Sequence, residues 1–242
     1  MVEFVEVEKN YGKKQVLKQI NIKLEHSIYG LLGPNGAGKS TLMRIMVDLS
    51  KATKGKVLYD GKEIHTLNEK YREQLGYLPQ DTGFYGYMTG EEILRYFASL
   101  KGIKKEMQKE CIRVALERVN LVDEGSKKVS KYSGGMRRRL AIAVALMNDP
   151  NVIVLDEPTV GLDPKERVQF RELLKSMSKD RTIILSTHIV SDVDALADQI
   201  IMLKEGRVIC NGKTEEIINK EKEIDKEVQT LEDVYMKYFK EV

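Results

Sequence analysis

The chain has 242 residues, of which 42% are hydrophobic and 32% are charged, a composition typical of a globular protein with a sizeable core. Its 40 basic and 37 acidic side chains nearly cancel, so the net charge is only +3. This balance argues against a protein that binds nucleic acid through its overall field, and we expect no nucleic-acid partner. The apolar runs are also far shorter than the roughly 20 residues of a membrane-spanning helix, so we expect the chain not to cross a membrane by itself.

The N-terminal segment predicts β-strands. Val5 and Val7 alternate with acidic residues, and residues 20–24 alternate between apolar and polar. A period of two is typical of half-exposed strands. Residues 56–61 add a short strand that ends in a turn signal. Together these segments predict a small antiparallel sheet.

Residues 33–40 match the phosphate-binding pattern G-x-x-x-x-G-K-[ST] at every fixed position. An apolar run precedes this P-loop as a strand would, and an amphipathic stretch follows it as a helix would. Glycines let the backbone approach phosphate oxygens closely, and amides at the helix start form an anion site. In this pattern Lys39 contacts the β- and γ-phosphates, and the Ser40 hydroxyl coordinates Mg²⁺. The predicted nucleotide-binding residues are Gly33, Pro34, Asn35, Gly36, Ala37, Gly38, Lys39, Ser40 and Thr41.

The middle of the chain predicts helices. Residues 91–100, 107–119 and 134–147 each carry apolar residues at three-to-four spacing. Strong strand patterns are missing from this block, so we predict an all-helical subdomain at about 89–150, inserted within an α/β domain.

Strand patterns return after residue 150. Apolar runs at 152–155 and 182–185 are separated by a helical pattern at 164–178, which predicts parallel strands joined by a right-handed crossover. Two further runs at 200–203 and 207–210 flank a turn and predict a hairpin. The charged residues that follow, at 220–227, are typical of a solvated surface helix.

Two acids, Asp156 and Glu157, end the apolar run at 152–155. In open α/β sheets, ligands gather at the carboxyl ends of the strands. Phosphoryl transfer depends mostly on positioning and charge, which a metal-binding carboxylate and a water-orienting group supply. We therefore predict that Asp156 holds Mg²⁺ and that Glu157 polarises the water attacking the γ-phosphate.

The segment Tyr132-Ser133-Gly134-Gly135-Met136 resembles LSGGQ, the signature of the ATP-binding cassette (ABC) ATPases. Tyr replaces the usual Leu and Met the usual Gln, while the Ser-Gly-Gly core is intact. The resemblance covers about residues 2–212. Other positions that match family elements are Tyr11 and Val16 (adenine stacking), Gln80 (Q-loop), Asp163 (D-loop) and His188 (switch histidine).

The resemblance implies an α/β P-loop NTPase fold with a mixed, mostly parallel central sheet, a small antiparallel β-subdomain and an inserted helical subdomain. It places the ABC ATPase domain at 1–212 and leaves a helical C-terminal extension at 213–242. It also implies ATP and Mg²⁺ as cofactors. Catalytic roles fall on Gln80, Glu157 and His188, and metal contacts fall on Ser40, Gln80 and Asp156.

The resemblance further implies a head-to-tail dimer. Ser133, Gly134 and Gly135 would contact the γ-phosphate held by the P-loop of a second ATPase subunit, which is another copy or a paralogue. Asp163 would link the two sites. The segment SGGMRRR, together with residues 231–235, looks like the ATPase subunits of ABC-2-type exporters, some of which act in drug, peptide or bacteriocin resistance. Such a subunit works at the cytoplasmic face of the cell membrane with an integral membrane permease.

Several alternatives stay open at this point. Arg137, Arg138 and Arg139 are typical of a solvated basic face. Phe84, Tyr85 and Tyr87 either receive a helix of the permease or pack between the helical block and the sheet. A non-transport ABC ATPase, for example of the iron–sulfur assembly type, is the alternative function. A kinase or GTPase is disfavoured by the signature.

Overall fold

Two β-sheets organise the chain, as a computed structural model that describes residues 1–239 shows. The strands are β1 (Val2–Tyr11), β2 (Lys14–Leu24), β3 (Ser27–Leu32), β4 (Lys54–Tyr59), β5 (Lys62–Glu63), β6 (Leu75–Leu78), β7 (Val152–Asp156), β8 (Thr182–Ser186), β9 (Gln199–Lys204) and β10 (Arg207–Lys213). The α-helices are α1 (Lys39–Met46), α2 (Ile64–Leu67), α3 (Glu69–Arg72), α4 (Gly90–Leu100), α5 (Lys105–Arg118), α6 (Gly134–Leu146), α7 (Pro164–Met177), α8 (Val190–Asp194), α9 (Thr214–Ile224) and α10 (Leu231–Phe239). Short 3₁₀ turns lie at Val122–Glu124, Val129–Lys131 and Ser178–Asp180.

The smaller sheet is antiparallel, with the order β2-β1-β4-β5, as predicted. The simple alternation expected in β1 is broken, however. The pairing with β2 shifts between Phe4 and Val7, and the intervening Glu6 has a φ of 48°. Because a bulge changes which side chains face the core, Phe4 and Val7 are buried while Val5 is only half-buried.

The larger sheet has the order β10-β9-β3-β8-β7-β6. Neighbouring strands from β9 to β6 are parallel, and only β10 pairs antiparallel, as the edge strand of the predicted hairpin. The parallel strands all end at one edge of the sheet. The segments that follow β3, β6, β7 and β8 therefore start from the same side of the molecule.

Both faces of this sheet are covered. Along β7, Val152 and Val154 join a core shared with α1 and the antiparallel sheet, whereas Ile153 and Leu155 join a core shared with α6 and α7. Successive strand residues point to opposite faces, so a fully apolar strand buried on both sides serves two cores.

The inserted block is helical, as predicted, and comprises α4, α5 and α6. A capping box begins α4: the Thr89 hydroxyl accepts from the amide of Glu92, and the Glu92 carboxylate accepts from the amide of Thr89. These reciprocal bonds satisfy amides that the first helical turn leaves free.

The C-terminal helices α9 and α10 pack on the core beside the larger sheet and bury Ile217, Leu231 and Val234. The domain boundary at residue 212 stays a prediction. The expectation of a solvated helix over 220–227 is wrong in one respect, because Glu221 is only 5% exposed. Its partners, Lys237 and Tyr238, come from α10, far outside the charged run that suggested solvation.

None of the helices in residues 1–239 is both long and apolar enough to span a membrane.

Replacing Glu221 tests how α10 is held. The Lys237 ammonium and the Tyr238 hydroxyl donate to the Glu221 carboxylate at 2.8 and 2.5 Å. We expect Glu221→Gln to lower the free energy of unfolding by about 1–3 kcal/mol at pH 7, because charged hydrogen bonds are lost. Urea unfolding measures this change. The exposed Glu223, on the same helix, supplies the matched control variant Glu223→Gln.

The wild type and Glu221→Gln can also be compared as the pH is lowered. The bonds from Lys237 and Tyr238 lower the pKa of the Glu221 carboxyl. Its contribution to stability is therefore complete above the ordinary carboxyl pKa of about 4.3 and is lost as the pH falls through the lower folded value. The wild type and Glu221→Gln should converge in acid, and a constant difference down to pH 2 would contradict the role given to this carboxylate.

Candidate active site

The P-loop joins β3 to α1 and is fixed by two glycines. Gly33 has a φ of 151°, and a Cβ there would lie 2.3 Å from the carbonyl oxygen of Leu203 on β9. Gly38 has a φ of 111°, and a Cβ would lie 2.8 Å from Leu17 of β2. Both sheets therefore press against the loop, and only glycine fits at these two positions.

Lys39 is the first residue of α1 and is 9% exposed. Its Nζ donates to the carbonyls of Gly33 (2.6 Å) and Pro34 (3.2 Å). Burial lowers the pKa of Lys39, while the negative charges of Glu157 and Asp156 oppose that change. A buried cation bonded to neutral carbonyls at a helix N-terminus is well suited to an anionic ligand.

Asp156 ends β7 and is 5% exposed. The parallel register sets it opposite Ser186, the last residue of β8, whose hydroxyl donates to its Oδ1 at 2.5 Å. We did not predict Ser186 from the sequence. The available signal was a wholly buried strand that ends in a polar residue, as β7 does.

The residues predicted to hold Mg²⁺ fit that ion chemically. Ser40, Gln80 and Asp156 offer a hydroxyl, an amide and a carboxylate oxygen, and Mg²⁺ prefers hard oxygen donors. Ser40 lies in the first turn of α1 beside Lys39, and Gln80 lines the same cleft as the P-loop.

Glu157 and His188, both predicted to be catalytic, are in contact. Glu157 Oε2 lies 3.0 Å from His188 Nδ1. Glu157 has a φ of 52°, an uncommon conformation for a residue other than glycine, and its amide donates to the Ser186 carbonyl. The Glu157 side chain is 12% exposed and that of His188 is 62% exposed, so the pair spans from the sheet edge to solvent.

One open cleft is lined by residues from several predicted elements of the site. Its lining residues include Gly33, Pro34, Asn35, Gln80, Gly134, Glu157, Gly161 and His188. The structure thus brings together the P-loop, the Q-loop glutamine, the end of β7 and the switch histidine. The start of the signature helix lies on the same cleft.

The signature helix α6 begins at Gly134. The Ser133 hydroxyl caps it by accepting from the amide of Met136 at 3.1 Å, and a Cβ at Gly134 would meet no atom within 4 Å. Tyr132, in place of the usual Leu, is buried and donates its hydroxyl to the Glu124 carbonyl. The substitution anchors the helix to the helical subdomain and leaves Gly134 open.

Three other residues were predicted to belong to the nucleotide site, namely Asp163, Tyr11 and Val16. The Asp163 carboxylate caps α7 by accepting from the amide of Glu166. Tyr11, at the end of β1, is 48% exposed, and Val16 lies against Gly38 of the P-loop. Their roles in dimer contact and adenine stacking stay predictions.

The prediction of a solvated basic face at residues 137–139 is wrong for Arg138 and Arg139, whereas Arg137 is exposed. Arg138 is 7% exposed, Arg137 donates to the carbonyl of Tyr132, and Arg139 pairs with Glu166 at 3.0 Å. Because α6 packs against the end of β7, Arg138 points into the protein instead of away from it.

The chain also matches a known family. The model of the family described as "ABC transporter" matches residues 17–160. The chain belongs to the ABC transporter family. That match contains the P-loop, the Q-loop, the signature and the end of β7.

Curated relatives agree with this assignment. An uncharacterized ABC transporter ATP-binding protein, YdbJ of Bacillus subtilis (strain 168), is 40% identical over 84% of this chain and 66% of its own. Nod factor export ATP-binding protein I of Burkholderia orbicola is 35% identical over a region that covers 91% of this chain and 73% of its own. Linearmycin resistance ATP-binding protein LnrL of B. subtilis is 34% identical over a region that covers 88% of this chain and 69% of its own. The chain thus spans roughly two thirds of the length of these relatives.

Solved structures share the fold. An ATP-binding subunit of an ABC transporter superposes with a TM-score of 0.88 at 26% identity and covers 98% of both chains. A dimeric ATP-binding cassette in a post-hydrolysis state, bound to ADP and Pi, gives a TM-score of 0.79 at 28% identity and covers 88% of this chain and 98% of its own. These likenesses confirm the predicted ABC cassette fold.

Removal of the Lys39 ammonium tests the phosphate site. We expect Lys39→Ala to weaken ATP binding by roughly 10- to 100-fold, since a charged hydrogen bond to phosphate is worth about 1.5–3 kcal/mol. Isothermal titration with a non-hydrolysable ATP analogue measures the affinity. Lys105→Ala, at an exposed position of α5, is the control and should bind as the wild type does. Equal affinity of all three proteins would remove Lys39 from the site.

Proposed function

We propose that this chain binds and hydrolyses MgATP as the ATPase subunit of an ABC transporter. The observation that carries the proposal is one cleft of an ABC cassette fold that the P-loop, Gln80, Glu157 and His188 line together. Lys39 lies close enough to Asp156 and Glu157 for their negative charges to raise its pKa against the effect of burial. The structural relative bound to ADP and Pi supports hydrolysis as the reaction.

Binding would use the P-loop. The amides of residues 36–40 and the Lys39 ammonium bind the phosphates of ATP, while Tyr11 and Val16 flank the base. Ser40, Gln80 and Asp156 would hold Mg²⁺, which neutralises charge between the β- and γ-phosphates. The bond from Ser186 fixes the Asp156 carboxylate, so its free oxygen is oriented before the metal arrives.

The chemical step would use Glu157. Its carboxylate accepts a hydrogen bond from the attacking water and turns the water's oxygen towards the γ-phosphate. His188 holds Oε2 of that carboxylate and thereby fixes its direction. Positioning and charge provide most of the catalysis in phosphoryl transfer. The oriented pair of Glu157 and His188, together with the positive charge of Lys39, would therefore provide most of the catalysis.

A second cassette would complete each site. Ser133, Gly134 and Gly135 begin α6, so their free amides and the positive end of the helix dipole form an anion site at the open cleft. In a head-to-tail dimer, they would contact the γ-phosphate held by the other P-loop. Asp163 would lie at the contact between the two halves. The structural relative is a dimer, which supports the pairing of two cassettes.

Glu157→Gln separates binding from hydrolysis. The amide keeps the size of the side chain but accepts the water's hydrogen bond poorly, so we expect turnover to fall at least 100-fold, within the range of general-base effects. ATP should then hold the dimer together, which size-exclusion chromatography detects. The exposed Glu172 of α7 supplies the control Glu172→Gln. Wild-type turnover in Glu157→Gln would defeat the role assigned to Glu157.

The transporter partner would be an integral membrane permease. Tyr85 and Tyr87 are 57% and 71% exposed, and their ring centroids lie 5.7 Å apart with the rings tilted by 37°. Phe84 packs edge-on against Phe97. Aromatics are enriched at protein interfaces, so the two tyrosines suit a helix of the permease, while Phe84 packs against the core of the helical subdomain. Docking there would hold the chain at the cytoplasmic face of the membrane.

Export is the proposed direction of transport. The curated relatives include a Nod factor export protein and a linearmycin resistance protein, and the segment SGGMRRR resembles ABC-2-type exporters. Drug, peptide or bacteriocin resistance is the proposed class. A non-transport ABC ATPase remains the second candidate.

Affinity purification from native membranes in mild detergent tests this choice. We expect a polytopic membrane protein to accompany the wild type, and Tyr85→Ala to lose it while hydrolysing ATP at the normal basal rate. Met107→Ala, at an exposed site on α5, is the control and should retain the partner. Recovery of a soluble assembly complex or a ribosome instead would leave the ATPase standing and reject the transporter.

A further inference from the structure

The guanidinium of Arg138 holds an unusual position beneath the cleft. It is buried, and every nitrogen donates to a backbone carbonyl. Nε donates to Pro158 (3.2 Å), Nη1 to Pro79 (3.2 Å) and Gln80 (3.1 Å), and Nη2 to Asp156 (2.6 Å) and Glu157 (2.5 Å).

These carbonyls belong to two segments that act on the same nucleotide. Pro79 and Gln80 start the Q-loop directly after β6, and residues 156–158 are the end of β7. Arg138 itself is the fifth residue of α6, one turn after the signature glycines. A single side chain therefore connects the signature helix to the Q-loop and to the catalytic strand end.

Arginine is suited to this connection in a way that other side chains are not. Its planar fork presents five N–H donors in fixed directions, whereas lysine presents three from a single nitrogen. Burying a charge is costly unless it is fully hydrogen-bonded. Burial lowers the pKa of Arg138, and the negative charges of Asp156 and Glu157 oppose this change. The cation thus stays compensated without using either carboxylate in the bonds described.

We propose that Arg138 is a positioning residue that couples the signature helix to the hydrolytic site of its own chain. When Ser133, Gly134 and Gly135 contact the nucleotide of a second cassette, α6 shifts, and Arg138 transmits the shift to Gln80 and Glu157. This inference rests on the function proposed above, and it makes each site sensitive to nucleotide in the other.

Two variants separate charge from geometry. Arg138→Lys keeps the positive charge but loses the fork, and Arg138→Gln loses both. Because Arg138 contacts the Q-loop and β7 but not the P-loop, we expect both variants to lower kcat by about 10- to 100-fold, the cost of a misplaced catalytic group. The KM for ATP should stay within about threefold. The Hill coefficient for ATP should fall towards one.

Arg118→Lys is the matched control. Arg118 is a half-buried arginine of the helical subdomain that donates to the Leu146 carbonyl and pairs with Asp149. It should keep the kcat and Hill coefficient of the wild type. Hydrogen exchange adds a readout that needs no activity: Arg138→Lys should speed exchange at residues 80–83 and 157–160 and leave residues 33–40 unchanged.

The outcomes are distinct. Wild-type kcat and cooperativity in folded Arg138→Lys, or unchanged exchange at residues 80–83, would overturn the proposal. Faster exchange across the whole chain would also overturn it, since it indicates a general stabilising role. If the wild type itself hydrolyses no ATP and Glu157→Gln forms no ATP-bound dimer, it is the proposed function that fails.

Discussion

The parallel register of β3, β7 and β8 is the constraint on which the site depends. It pairs Leu31 with Ser186 and Ser186 with Asp156, so all three strands end at the same level. The P-loop, Glu157 and the switch histidine each follow one of these ends, and Asp156 is itself the last residue of β7. A change of one residue in register would exchange the two buried faces of a strand and move its terminal side chain away from the cleft.

Charge is assembled in this region before any nucleotide binds. Lys39, Asp156 and Arg138 are all buried, and each has hydrogen-bond partners from the surrounding backbone or side chains. Such groups would destabilise a core if left unpaired. Here their partners fix them in direction, so binding energy need not be spent on ordering them. The open side of the cleft is the part that a second cassette would cover.

Much of this arrangement was predictable from sequence, since residues 33–40 and β7 with its terminal acids are local patterns. What was missed depends on contacts between distant residues. In the sequence, the three arginines at 137–139 look like a solvated run. Successive residues of a helix point about 100° apart, however, so neighbouring side chains face different surroundings, and Arg138 faces the sheet. Glu221 likewise meets Lys237 only after the chain turns back. The bulge at Glu6 depends on pairing with β2.

The central claim is that each hydrolytic site combines the P-loop of one copy with the signature of another, and subunit mixing tests it most directly. Lys39→Ala disables the P-loop, and Gly134→Asp places a negative charge in open space at the signature without a steric clash. Each variant alone should be inactive. The account predicts that a mixture regains ATPase activity, because one mixed site keeps both intact parts. A mixture that forms mixed dimers yet stays inactive would contradict it.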